Sequence, residues 1–360
     1  MLNPFTHSLI ERLPTPALKL LARLYSAAVQ IRLSLYYARY IPSRRLNSFT
    51  ISIGNLSVGG TGKTPLVELL ARYLHEQGYV VSILTRGHGR RRARTRQVVS
   101  NGKTIASDVT LTGDEPLMLA RHLPGVIVIA DPDRYNAGLW AEATFATDVH
   151  ILDDGFQYLR LQRDVNILLI DALDPLTTAQ PLPLGRLREP LSEMARADII
   201  IVTNADQHFD QTELEIQIRS LAGDKPLFYA YRDLVGLLAP QTGQTYKMQR
   251  LTGAPIAVIC GIGNPHQFVS NLAHFAPSIV YQRHFPDHHW FTRKELQHMF
   301  AEATDRGAQF IITTEKDWLR IENLPLPCTP PLLVALSELR ITEQARLFSL
   351  ILQAMHAKTG

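Results

Sequence analysis

Cysteine is the scarcest reactive group in this chain. Its 360 residues include two, Cys260 and Cys328, with neither the spacing of a metal site nor that of a disulfide framework. That excludes a disulfide-stapled secreted fold and points to a reducing compartment. Charge is modest as well. Asp, Glu, Lys and Arg make up 19% of the residues against 46% hydrophobic, which excludes a disordered profile and allows a large core. No apolar run is long enough to span a bilayer, and the N-terminus lacks the short apolar run and cleavage site of a signal peptide. A cytoplasmic protein is therefore expected. Repeats and low-complexity tracts are missing too. The formal net charge of +4 suits an anionic partner such as ATP, nucleic acid or an acidic membrane surface. The basic residues form no recognisable base-reading motif, so nucleic acid is not expected.

What the chain does have is one organising stretch. Ile51 to Thr64 runs from a short apolar segment into Ser57-Val58-Gly59-Gly60-Thr61-Gly62-Lys63-Thr64. Leu66, Leu69, Leu70 and Leu74 then recur at helical spacing. Strand, glycine-rich loop and helix in that order form an anion cradle, because loop amides and the helix N-terminus both present positive potential. In such a loop Lys63 reaches the β- and γ-phosphates of a nucleotide and the Thr64 hydroxyl faces Mg²⁺. Ser57 stands where the usual motif has glycine. A glycine-rich turn without a ligand is the plain alternative.

The length predicts two domains. Residues 1–40 are expected to form an amphipathic, membrane-associating helix region, with Leu20, Leu21, Leu24, Ala28, Ile31 and Leu35 at helical spacing and Lys19, Arg23, Arg32 and Arg39 between them. A helix packed on the main domain is the alternative. Residues 41–235 read as the nucleotide-binding core, where short β-branched runs alternate with helical segments. That pattern specifies a mostly parallel sheet covered on both faces, an α/β fold of the P-loop NTPase type. Residues 236–335 read as a smaller α/β domain with linker strands, and 336–360 as a C-terminal helix. In the smaller domain, Gly261-Ile262-Gly263 invites a dinucleotide reading but lacks the third glycine and the ribose acid, so a tight turn is expected.

The charged clusters fall where these strands end, and that is where functional loops of such sheets sit. Asp153 and Asp154 close a buried strand, with Gly155 expected to provide the sharp turn. Adjacent carboxylates there suit a bound cation, or else a simple turn. Asp114 could be a general base or only a helix N-cap or first-turn acid. Arg134 and Arg188 could clamp phosphate oxygens. His288 and His289 sit between aromatics with no second ligand pair, which argues against zinc and for a role orienting or protonating a substrate, or sharing a proton with Asp114.

Taken together the chain closely resembles the tetraacyldisaccharide 4′-kinase family. The motifs that carry the resemblance are Ser57–Pro65, Thr85-Arg-Gly-His-Gly89, Gly113-Asp-Glu-Pro116, Asp133-Arg134, Leu152-Asp-Asp-Gly-Phe-Gln157, Arg163-Asp164, Leu187-Arg-Glu-Pro190, Phe285-Pro-Asp-His288 and Thr314-Glu-Lys-Asp317. The resemblance implies transfer of the γ-phosphate of ATP, with Mg²⁺, to the 4′-hydroxyl of a tetraacylated glucosamine disaccharide 1-phosphate in lipid A biosynthesis. It implies Asp114 as base assisted by His288, Lys63 on the phosphates, and Thr64, Asp153 and Asp154 on the metal. Arg134, Gln157, Tyr158, Arg188 and Glu189 would line the site. The expected partners are the lipid disaccharide and the cytoplasmic face of the inner membrane, with no obligate protein partner. Tyr158 departs from the family's usual His and cannot become cationic near neutral pH. A membrane-associated P-loop ATPase switch is the rival function.

Overall fold

The computed structural model describes residues 14–87, 90–91, 94–174, 176, 179–205, 211–276 and 278–359. His88 and Gly89, part of one quoted motif, lie outside the described residues. Helix α1 (Thr15–Tyr37) precedes β1 (Phe49–Asn55), with all seven residues buried. After the glycine-rich loop come α2 (Lys63–Glu76), β2 (Val81–Thr85), β3 (Gln97–Asn101), α3 (Val109–Thr112), α4 (Asp114–His122), β4 (Ile127–Ala130), α5 (Arg134–Phe145), β5 (Val149–Asp153), β6 (Val165–Asp171), β7 (Ile199–Thr203) and α6 (Thr212–Ala222). Then follow β8 (Leu227–Ala239), β9 (Gln244–Tyr246), β10 (Ile256–Cys260), α7 (Pro265–Ala273), β11 (Ile279–His284), α8 (Arg293–Asp305), β12 (Phe310–Thr314), α9 (Glu315–Ile321), β13 (Leu332–Ile341) and α10 (Gln344–Thr359).

Among the described residues the strands form one thirteen-stranded sheet in the order β11-β10-β12-β13-β8-β7-β6-β1-β5-β2-β4-β3, with β9 beside β8. β1 lies parallel between β5 and β6. The strand is hydrogen-bonded on both edges and covered on both faces, so Ile51 and Ile53 sit at 0% exposure on one face while the small polar Thr50 and Ser52 are as fully enclosed on the other. Leu66, Leu70 and Leu74 of α2 pack on one face of this half, and α10 joins them there through Leu347, Ile351 and Met355. The opposite face is covered by α5 through Ala137 and Ala141 against Leu84, Ile129 and Leu152. Further along, Ile218 of α6 packs on Leu168 and Ile200.

The second half of the sheet has its own cores on both faces. Phe268 and Leu272 of α7 pack against Val258 and Ile312, and Leu296 and Phe300 of α8 against Ile259 and Ile311. The two halves meet in β8. Its start runs parallel to β7, and its remainder pairs antiparallel with β13.

Two local readings of the sequence change. Of the expected linker strands, the one at residues 228–232 is part of a thirteen-residue strand, β8, whereas the one at residues 243–246 forms the short β9 as expected. Gly155 does not supply the turn after β5. The residue with positive φ is Asp154, at 54°, while a Cβ on Gly155 would lie 2.6 Å from Leu152 Cβ and 2.7 Å from Ser52 Oγ. Glycine is needed there for close packing rather than for its dihedral freedom.

Candidate active site

The loop after β1 ends in Gly62, which takes a left-handed conformation (φ 80°) and opens α2 directly before Lys63. Ser57 forms a bridge with Leu187, and Val58 donates its amide to the Arg186 carbonyl at 2.8 Å. Arg186 returns hydrogen bonds of 3.0 and 2.8 Å to the Val58 carbonyl, fixing the front of the loop. The Thr61 hydroxyl is buried without a hydrogen-bond partner among the described residues. Lys63 folds back along the loop, its Nζ donating to Asn55 Oδ1 at 3.1 Å and to the Gly59 carbonyl at 3.3 Å. Burial lowers its pKa, and Asp154, 3.8 Å away, works against that effect.

The two carboxylates after β5 have different environments. Asp154 receives a two-pronged ion pair from Arg188, at 2.8 and 2.9 Å. Burial opposes its charge, but Arg188 and Lys63 hold it well below the usual carboxylate range. Asp153 accepts one hydrogen bond, from Thr85 at 3.1 Å, and its Oδ1 has no partner among the described residues. Burial, Glu115 and Asp154 push its pKa up to about 7. One free buried carboxylate oxygen at a strand end beside a phosphate-type loop fits a hard cation that takes its remaining ligands from phosphate and water. Asp154, already engaged by Arg188, fits it less well.

Around this centre, Gln157 donates to the Asn55 carbonyl at 2.8 Å and to Glu189 at 3.4 Å. Glu189 is fully enclosed and paired with Arg32 of α1 at 2.8 Å and with Arg196. The Tyr25 hydroxyl of α1 donates to the Arg188 carbonyl at 3.0 Å. Tyr158 donates to Asp133 at 3.0 Å, and the Arg134 guanidinium stacks 4.3 Å from its ring centre. Arg134 is buried, which lowers its pKa.

The second half of the sheet supplies the other wall. A Cβ on Gly263 would start 3.5 Å from the Gly60 amide, so the turn after β10 lies against the glycine-rich loop. Asp114, first residue of α4 and 5% exposed, has its Oδ2 3.1 Å from His288 Nδ1. Gly113 occupies the N-cap, so Asp114 does not cap its own helix. Burial and then Lys316 lower the His288 pKa. His289 is turned elsewhere, stacked 4.3 Å from the Phe285 ring and 3.3 Å from Glu295. Of the two histidines the geometry therefore brings His288 to Asp114. Sequence reasoning missed Arg320, which donates to Asp114 Oδ2; Lys316 pairs with Glu115 at 2.8 Å and Asp287 at 3.1 Å. Lys316 falls within a quoted motif, whereas no local pattern marks Arg320.

A profile of the tetraacyldisaccharide-1-P 4′-kinase family, LpxK, matches residues 14–356. The chain belongs to this family. It is 36% identical over 324 residues to the tetraacyldisaccharide 4′-kinase of Pelobacter propionicus, covering 90% of this chain and 88% of that protein. The Geobacter sulfurreducens tetraacyldisaccharide 4′-kinase is 37% identical over 311 residues, covering 86% and 85%. The crystal structure of LpxK from Aquifex aeolicus in complex with ATP superposes with a TM-score of 0.74 at 30% identity, covering 94% of this chain and 99% of that one. The protein is a kinase of the lipid A 4′-kinase family, with a mostly parallel α/β sheet of the P-loop type. Among the described residues no helix is long and apolar enough to cross a membrane.

Proposed function

We propose that this kinase binds ATP in the loop from Ser57 to Thr64 and transfers its γ-phosphoryl group to the 4′-hydroxyl of a tetraacylated glucosamine disaccharide 1-phosphate. The observation that carries the reading is the contact of buried Asp114 with half-buried His288, beside Asp287 and the Gly263 turn that rests on the glycine-rich loop. Asp114 takes the hydroxyl proton as the sugar oxygen attacks the γ-phosphorus and the bond to the β–γ bridging oxygen breaks, releasing ADP. Lys63, redirected from Asn55 and Gly59 onto the phosphates, offsets the charge that gathers on the transferring group. His288, kept neutral by burial and Lys316, orients the carboxylate.

Mg²⁺, when bound, would add neutralisation of the β- and γ-oxygens, held by Asp153 and the Thr64 hydroxyl with Asp154 beside them. Arg188 and Arg134 fit anionic oxygens at the cleft wall, and Gln157, Tyr158 and Glu189 shape that wall. Residues 41–235 and 236–335 act as the two walls.

The lipid reading draws support from α1. Its buried face is Ala22 and Leu33, whereas Leu20, Leu24 and Ile31 are 59–62% exposed. The expected apolar stripe thus faces away from the protein, among basic residues, as a helix lying in a bilayer interface requires. A cavity of about 240 Å³ lies between α1 and the loop carrying Arg188, lined in part by Tyr25, Val29, Leu187 and Pro190. On this reading the acceptor lies at the cytoplasmic face of the inner membrane, with its sugar toward Arg188.

The test is incubation with Mg-ATP and a disaccharide lipid acceptor, followed by mass measurement of the product. A product heavier by one phosphoryl group is expected, and Asp114→Ala should lower turnover about 100-fold or more with ATP binding kept. Steady ATP hydrolysis without a phosphorylated lipid would instead support a switch ATPase.

A further inference from the structure

Arg320 has no part in the mechanism above, yet it is buried where that mechanism acts. The residue is 5% exposed, and its guanidinium reaches across from α9 to α4. Nη2 donates to Asp114 Oδ2 and lies 3.1 Å from His288 Nδ1. Among the described residues both contacts to Asp114 fall on Oδ2, and none falls on Oδ1.

The cation is itself held in place. Nη1 is 3.5 Å from Asp317 Oδ1. Asp317 Oδ2 in turn accepts the Gly261 amide at 2.9 Å and the Thr314 hydroxyl at 2.7 Å. Gly261 begins the turn that rests on the glycine-rich loop through Gly263. One aspartate therefore links the wall of the phosphate cradle to the arginine on the base.

We propose that Arg320 is the positioning residue for the base: with His288 it occupies Asp114 Oδ2, keeps the carboxylate ionised, and leaves Oδ1 as the oxygen that receives the sugar proton. The inference rests on Asp114 being the base. A fixed cation in contact with a carboxylate favours the charged form and lowers its pKa by about one to three units. The same contact fixes the direction of the acceptor lone pairs, and misplacement of a reacting group by about 1 Å costs on the order of 100-fold in rate.

Other charges face the pair. Glu115 lies on α4, Lys316 and Asp317 on α9, and Asp287 beside His288. Lys63 and Asp153 both feel Glu115 from the core side. Of these groups, Arg320 and His288 touch Asp114 directly, so at saturating Mg²⁺, which keeps Asp153 ionised, the acid limb of the rate profile reports that pair.

The experiment compares wild type, Arg320→Gln and Arg320→Lys, reading kcat, KM for ATP and the pH profile of kcat/KM. Both substitutions keep a hydrogen-bonding head group, and only lysine keeps the charge. Arg320→Gln should move the acid limb upward by about one pH unit or more and cut kcat about 100-fold, with KM for ATP within about twofold. Arg320→Lys should hold the limb near its wild-type position with a kcat loss of about tenfold. An unmoved limb in Arg320→Gln, or lysine behaving like glutamine, overturns the inference. Asp114→Asn separates the two claims. If it turns over like wild type, the base assignment itself fails. If it is inactive while Arg320→Gln leaves the limb in place, only the role given to Arg320 fails.

Discussion

Replacing His122 with glutamine isolates the ion pairs that hold α4, and with it Asp114, between α2 and α9. The imidazole spans two carboxylates, with Nδ1 3.1 Å from Glu68 of α2 and Nε2 3.2 Å from Glu315 of α9. Hydrogen bonds to Glu315 and then Glu68 raise its pKa from 6.5 to about 10, against the pull of burial. The folded chain binds this proton more tightly than the unfolded chain. The resulting stabilisation is therefore complete below about pH 6.5 and is lost as the pH climbs through about 10. At ~1.4 kcal/mol per pH unit its ceiling is about 5 kcal/mol. The ring is 29% exposed, so solvent screening brings the expected value to on the order of 2 kcal/mol. Urea unfolding of wild type and His122→Gln at about pH 6 and again above about pH 10 measures it. The gap should be clear at the lower pH and close at the higher one. A gap that stays constant, or widens toward alkaline pH, refutes the assignment of that stability to a protonated ring.

Lys63→Ala should weaken ATP binding and cut turnover together, on the order of 100-fold in kcat/KM, as measured by nucleotide titration and steady-state kinetics. Asp153→Asn should reduce apparent Mg²⁺ affinity about tenfold or more. In wild type that affinity should fall as the pH drops through about 7, where Asp153 takes up its proton. Because the folded chain raises this carboxyl's pKa, wild type without cation should lose stability relative to Asp153→Asn as the pH rises from about 4 through about 7, as read by thermal melts. Tyr158→Phe keeps the ring under Arg134 and removes the bond to Asp133, so a loss of about 1 kcal/mol in stability is expected, with turnover changed less than about threefold.

Much of the first half of the sheet was legible because its signals are local. β1, the glycine-rich loop and α2 are contiguous, and a strand buried on both faces leaves an apolar run that reads directly. The Asp153-Asp154 cluster was legible for the same reason, although which carboxylate keeps a free oxygen depends on Arg188, 34 positions along the chain from Asp154. β13 was not read as a strand at all. Leu332 to Ile341 mixes buried and exposed positions without clean alternation, and one of its two partners is β8, about a hundred residues earlier. The break in register between Leu336 and Ser337 shifts the period that alternation would need. Arg320 was hidden for a different cause. It lies three positions past the last quoted motif residue, Asp317, and its role exists only once α9 meets α4.

The long strand β8 has a mechanical consequence. Since it is shared by both halves, no slack linker lets them swing apart, and the ladder from Ala230 to Leu238 against β13 would have to flex. Gaping of the cleft should then behave like the bending of a leaf spring, small in angle and self-restoring. Its softest point is the irregularity at Leu336 and Ser337, opposite Gly236 and Leu234. A molecule built this way would take in its substrates by breathing rather than by unfastening.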